Sequence, residues 1–123
     1  MAEGTGKKND TGKTRLDLLP WDALALIGKV FTHGSIKYTA YNWCGGIHYS
    51  RLMAALLRHM GKWWLGQDND SDSGIHHLGH AGCCMLMLIS MALTRPDLDD
   101  RFKNPNLTPE QLDSLINELF GVE

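Results

Sequence analysis

Arg58 to Cys84 reads RHMGKWWLGQDNDSDSGIHHLGHAGCC, and this stretch decides the reading of the chain. Both of its ends carry apolar residues at helical spacing, while Gly66 to Gly74 is a polar, acidic turn. The stretch therefore predicts helix, turn, helix. Along it, His59, His77 and His80 keep company with Asp68, Asp70 and Asp72. Imidazoles and carboxylates on a turn between two helices are able to build a site. They equally suit a solvated connection beside core histidines, and the residues alone leave both readings open.

Upstream, Ser50 is the expected N-cap of the helix that ends by Gly66. At 100° per residue Arg51, Ala55, Arg58 and Lys62 share one face of it. Leu52, Leu56, Met60, Trp63 and Trp64 cover the other, with His59 at the border. A cationic stripe of this kind is either a solvated face or a phosphate clamp, for which the planar fork of Arg is suited. Downstream, the next helix is expected from about Ile75 to Leu93, capped by Asp72 or Ser73. His77, His80, Ala81, Cys84 and Leu88 project onto one sector of it. The i, i+3 spacing lets His77 and His80 reach one point, although His-x-x-His is weaker than the spacings that define zinc sites. Asp68-Asn69-Asp70-Ser71-Asp72 has the look of half an EF-hand loop, but the Gly at position six and the Glu at position twelve are missing. Apolar residues nearly all round predict that this helix is central to a bundle or an interface.

Further out, Pro20 sets the start of a helix from Trp21 to His33-Gly34, or on to Tyr38. Tyr38 to Gly46 is an aromatic loop whose rings either lid the core or stack on a planar ligand such as a base. Thr94 to Leu107 is expected as a loop. Thr108, Pro109 and Gln111 announce a last helix with a capping box; Leu112, Leu115, Ile116 and Leu119 form its stripe, and Gly121 stops it. It is expected to dock on the rest. Residues 1–14 are expected to be a disordered leader. Its Gly12-Lys13-Thr14 is not a P-loop, since the spacing from Gly6 is wrong and no strand precedes it. No strand or repeat is evident, so the expected fold is all-α, a compact bundle of three to four helices over residues 15–123.

The chain has 123 residues, one domain's worth, with 43% hydrophobic content. A net charge of −2 gives no electrostatic case for a nucleic acid polymer as partner. Three cysteines and no apolar leader predict free thiols in a reducing, cytoplasmic setting. The run Ala81 to Leu93 is shorter than the ~20 residues that span a bilayer, so no membrane partner is expected.

Several blocks also resemble a known family. They are Arg15 to Pro20, Gly34 to Tyr38 with Tyr41-Asn42-Trp43, Tyr49 to Leu52 and Ala55 to His59. Gly66 to Asp70, Asp72 to Gly74 and His77 to Ala81 complete them. In order and spacing these resemble a mostly phage-encoded family described as the dATP/dGTP diphosphohydrolase N-terminal domain. The likeness covers about Arg15 to Leu93, and the leader and last helix lie outside it. It implies a helical domain similar to MazG-type nucleotide pyrophosphohydrolases, with magnesium, or manganese, held by carboxylates. The MazG pattern Glu-x-x-Glu with Glu-x-x-Asp is absent, and Gln67 stands where the resemblance leads one to expect Glu. Carried onto this chain, Asp70 and Asp72 hold the metal, and His59, His77 or His80 orients water or acts as base. Lys37, Arg51, Arg58 and Lys62 neutralise a triphosphate, and Tyr41, Asn42 and Trp43 meet the base. The alternatives are a protein that binds and sequesters a nucleotide, such as a cyclic host signal, without turnover, in the service of counter-defence, or an inhibitor that uses its surface on a protein partner. Homo-oligomerisation is expected in each case.

Overall fold

The structure, a computed structural model, describes residues 2–122. It is all-α. Helices α1 (Trp21–Lys37), α2 (Tyr49–Trp64), α3 (His77–Thr94) and α4 (Pro109–Phe120) follow in order. Among the described residues no strand forms, and the one isolated antiparallel bridge joins Asn69 and His76.

Helix α3 is the centre, and both α1 and α2 pack on it. Its small residues decide how close they come. A Cβ placed on Gly79 would sit 3.0 Å from Leu26 Cγ, and one on Gly82 only 2.6 Å from Ile27 Cδ1. The α1 side chains thus lie directly on the α3 backbone, so larger residues at 79 or 82 would force the helices apart. On the α2 side Leu56 meets Ala81 and Cys84, and Tyr49 and Leu52 meet Met91. The Tyr49 hydroxyl lies 3.0 Å from the carbonyl oxygens of both Met91 and Arg95. It thereby ties the start of α2 to the last turn of α3. By length and composition α3 is apolar enough to cross a membrane, contrary to the reading of Ala81 to Leu93 as too short. Its place between α1 and α2 gives its composition a packing explanation.

Two expected caps are replaced. Helix α2 begins at Tyr49, so Ser50 is already helical. Its N–H and hydroxyl both bond the carboxylate of Asp100, which reaches the helix N-terminus from the segment after α3. A carboxylate there satisfies an otherwise orphaned donor and suits the helix dipole. Helix α3 begins at His77, not Ile75, and its cap is neither Asp72 nor Ser73. His76 Nδ1 accepts from the Leu78 N–H at 3.0 Å. Helix α1 runs through Gly34 to Lys37.

Helix α4 forms where its signals place it, with both arms of the capping box made. Docking does not follow. None of its residues is buried, and Leu112, Ile116 and Leu119 are among the exposed apolar side chains.

Candidate functional site

The turn between α2 and α3 is stapled to the start of α3. The Asp70 N–H bonds the Ile75 carbonyl at 2.9 Å, the His77 N–H bonds that of Asp68 at 2.8 Å, and the Gly74 N–H bonds that of Asp70 at 2.8 Å. Gly74, at φ 73°, supplies the left-handed residue that lets the chain reverse. This brings Gln67, Asp70 and Ser73 against His59 of α2 and against His77 and His80 in the first turn of α3.

His77 is the centre of the cluster, with 0% exposure. Its Nε2 lies 2.6 Å from Gln67 Oε1 and its Nδ1 lies 2.9 Å from His59 Nδ1. An amide oxygen only accepts, so His77 carries its proton on Nε2 and presents a lone pair at Nδ1. His59 then donates from Nδ1. His59 also stacks on His80, with centroids 4.5 Å apart and planes 7° from parallel. On the far side, Ser73 Oγ lies 2.7 Å from His80 Nε2 and donates to Asp70 Oδ2 at 2.9 Å. The hydroxyl has one proton, so His80 donates from Nε2 and keeps its lone pair on Nδ1. The Ser73 N–H adds a second hydrogen bond to the same Asp70 oxygen, at 2.8 Å. His80 Nε2 stands 3.9 Å from Asp70 Oδ2.

Electrostatics follow from this packing. Burial first, then the neighbouring rings of His80 and His77, pushes His59 down to about 4. Burial also lowers His80, against the pull of Asp70. Hydrogen bonds from Ser73, the backbone one foremost, hold the Asp70 carboxyl below its usual value. The cluster at neutral pH is a fixed carboxylate beside neutral imidazoles, the state in which histidine offers a lone pair to a proton or a metal. Donor atoms of His59, Asp70 and His77 lie within 4.8 Å of one another. Burial pushes the Cys83 thiol up to about 12 and also raises Cys84, so both stay protonated. All three cysteines are free.

The other residues picked from the sequence divide. Asp72 is exposed and outside the converging donors. Arg51 and Arg58 line a groove of about 620 Å³ with Tyr38 and Ser50. Lys62, exposed, is near enough for its charge to bear on His59 and His80. Lys37 lies over the ring of its neighbour Tyr38, 5.2 Å from the centroid. The aromatic loop divides. Trp43 folds back, edge-on to Phe31 at 6.4 Å and against the Tyr49–Leu52–Met91 core. Tyr41 and Asn42 stay exposed, Tyr41 at φ 61°. Three participants were not singled out as such: Gln67, read as a lost ligand, holds the back of His77; Ser73 bridges Asp70 and His80; Tyr38 faces the arginine groove. The part of each of the first two depends on a histidine of α3, His77 for Gln67 and His80 for Ser73, which no spacing within the turn discloses.

Comparison with known proteins places the chain in a family. The sequence profile of a family described as "dATP/dGTP diphosphohydrolase, N-terminal" matches residues 3–101. The match takes in most of the leader, which had been expected to lie outside it, and stops before α4. A dATP/dGTP diphosphohydrolase of Salmonella phage PMBT28 is 33% identical over 97 residues, 79% of this chain. The chain spans about a third of that relative's length, 33%. No solved structure matches.

Proposed function

The chain belongs to the dATP/dGTP diphosphohydrolase N-terminal family, and from that premise we propose that it hydrolyses purine deoxynucleoside triphosphates to monophosphate and pyrophosphate. The observation that carries this reading is the ordered set of neutral imidazoles around one carboxylate, flanked along α2 by a two-arginine groove. Arg58 and His59 are consecutive in α2, so groove and cluster lie on adjoining faces of one helical turn. The chain spans only a third of its relative, so the activity and substrate are proposals for this chain.

Arg51 and Arg58 bind phosphoryl oxygens, where a planar fork makes paired, charge-assisted hydrogen bonds. Lys62 adds positive charge beside the histidines. The exposed rings of Tyr38 and Tyr41 offer the purine a face on which to stack. His80 takes the proton of the attacking water at Nδ1, and Asp70, linked through Ser73, stabilises the imidazolium that results. His59 is the poorer base, since a pKa near 4 lies far from the working pH. The expected magnesium does not fit this cluster. Magnesium takes oxygen ligands, and Asp70 is the single carboxylate among the converging donors.

The test is product analysis of dATP and dGTP incubated with the full chain and a panel of divalent cations. Monophosphate and pyrophosphate are expected, with His80→Ala reducing turnover by about 10² to 10⁴, the range for loss of a general base. The single carboxylate in the cluster favours a second reading, a protein that binds a nucleotide and returns it intact. Nucleotide-dependent thermal stabilisation with every nucleotide recovered unhydrolysed would establish that reading and sink the first.

A further inference from the structure

We infer that His59, His77 and Asp70 form a site for a first-row transition dication of the manganese, iron(II), cobalt, nickel or zinc class, held through the two Nδ1 atoms and a carboxylate oxygen. This rests on the cluster used in the functional reading, but it does not depend on turnover.

The spacing comes first. The two Nδ1 atoms are 2.9 Å apart. Adjacent ligands at about 2.1 Å from an octahedral ion are about 3.0 Å apart, and at the same bond length on a tetrahedral ion about 3.4 Å. The separation of the two nitrogens therefore matches that of adjacent ligands on one ion. The donor set comes second. Imidazole suits iron, nickel and zinc ions and a carboxylate suits manganese, whereas magnesium is served by oxygen ligands alone. Asp72, which would supply a second carboxylate, is exposed and outside the group.

The supporting contacts come third. A metal-binding imidazole characteristically donates its other N–H to an acceptor, which fixes its tautomer and direction. Gln67 Oε1 does this for His77 at 2.6 Å. An amide at this position orients the ring without adding a charge. Among the described residues both hydrogen bonds to the Asp70 carboxylate fall on Oδ2, which leaves Oδ1 to face a cation. To ligate, His59 presents its Nδ1 lone pair and carries its proton on Nε2. The structural alternative is a plain His59–His77 hydrogen bond that binds no ion.

The experiment is titration of the chelator-stripped full chain with cobalt(II), manganese(II) and magnesium, followed by calorimetry and by the cobalt visible spectrum. One cobalt per chain is expected, bound at least 100-fold tighter than magnesium, with a spectrum showing nitrogen ligation. His59→Ala and Asp70→Asn should each weaken cobalt at least tenfold while circular dichroism keeps the helical signal. Gln67→Ala, a positioning change, should weaken it about 10- to 100-fold, and Gln67→Glu should restore binding. Asp72→Asn should leave affinity unchanged. His77 is too buried to serve as the main test. Equal affinity for magnesium and cobalt, or cobalt binding unaltered in His59→Ala, overturns the inference. The two readings fail separately: tight cobalt binding without hydrolysis removes the hydrolase and keeps the site, whereas hydrolysis with magnesium and no cobalt preference does the reverse.

Discussion

Two regions of this molecule are built in opposite ways. Around His77 every contact is tertiary: a loop amide, a ring from α2 and a side chain with no exposure. Among the described residues no buried side-chain polar atom is left without a partner. Helix α4 is the reverse. It has the most complete local signals in the chain, with cap, proline, capping box and stop all in place, yet none of its residues is buried. Local chemistry is enough to shape a helix, but it does not say what the helix meets. The cluster shows that a site can assemble with almost no local signal.

The comparison breaks most visibly at His77. His77→Ala empties a fully buried position and removes the partner of both Gln67 and His59. Cavity and hydrogen-bond terms together suggest a loss of about 2–4 kcal/mol. For a domain of this size that is a fall in Tm of roughly 10–20 °C, readable by calorimetry. A loss under about 1 kcal/mol would mean the site is slack and the neutral-imidazole network is not holding the turn.

Protonation probes the same region more gently. The folded pKa of His59, about 4, lies below its ordinary value of 6.5, and that of His80 is also lowered. Between those values the unfolded chain binds protons that the native chain refuses. Stability contributed by the neutral rings is therefore full above pH 6.5 and is lost as the pH falls toward 4. Asp70, lowered by the Ser73 hydrogen bonds, gives way only below its own unfolded value, further into acid. For the metal-free chain the expected loss across pH 6.5 to 4 is about 1–2 kcal/mol, reduced because His59 is partly solvated. Melting curves of the wild type and His59→Gln should converge as the pH falls. Parallel curves would show that His59 titrates as it does in water.

The same contrast explains what the sequence disclosed. Apolar periodicity marked all the helices because spacing along one chain is a local property, and it identified α3 as central. His77 and His80 at i, i+3 were legible as a pair for the same reason. Gln67 was not, because its part depends on where the His77 ring points after α3 packs. Asp100 was not, because it caps a helix 50 residues away. Asp72 does not join Asp70: Ser73 fastens the Asp70 carboxylate, and Asp72 is left in solvent. The resemblance implied magnesium on Asp70 and Asp72, whereas the donors that converge with Asp70 are the imidazoles of His59 and His77.

The smallest effect is expected at α4, and it is the sharpest test of the contrast. Ending the chain at Leu107 removes a helix with no buried residue. In dilute solution the remaining chain should melt within about 0.5 kcal/mol of the full one, as surface changes away from packed features do. Leu115→Asp should be equally mild. The stripe of Leu112, Leu115, Ile116 and Leu119 is nonetheless what a covered surface looks like in sequence. Burying one such leucine contributes about 1.5–3 kcal/mol. If a second copy covers the stripe, as the expected homo-oligomer requires, both changes become costly, and the cost grows with protein concentration. Sedimentation and melting over a hundredfold range of concentration separate the outcomes. A concentration-independent Tm leaves α4 a free arm. A Tm that rises with concentration in the full chain, and not after Leu107 is made the last residue, shows that α4 was written for a partner surface.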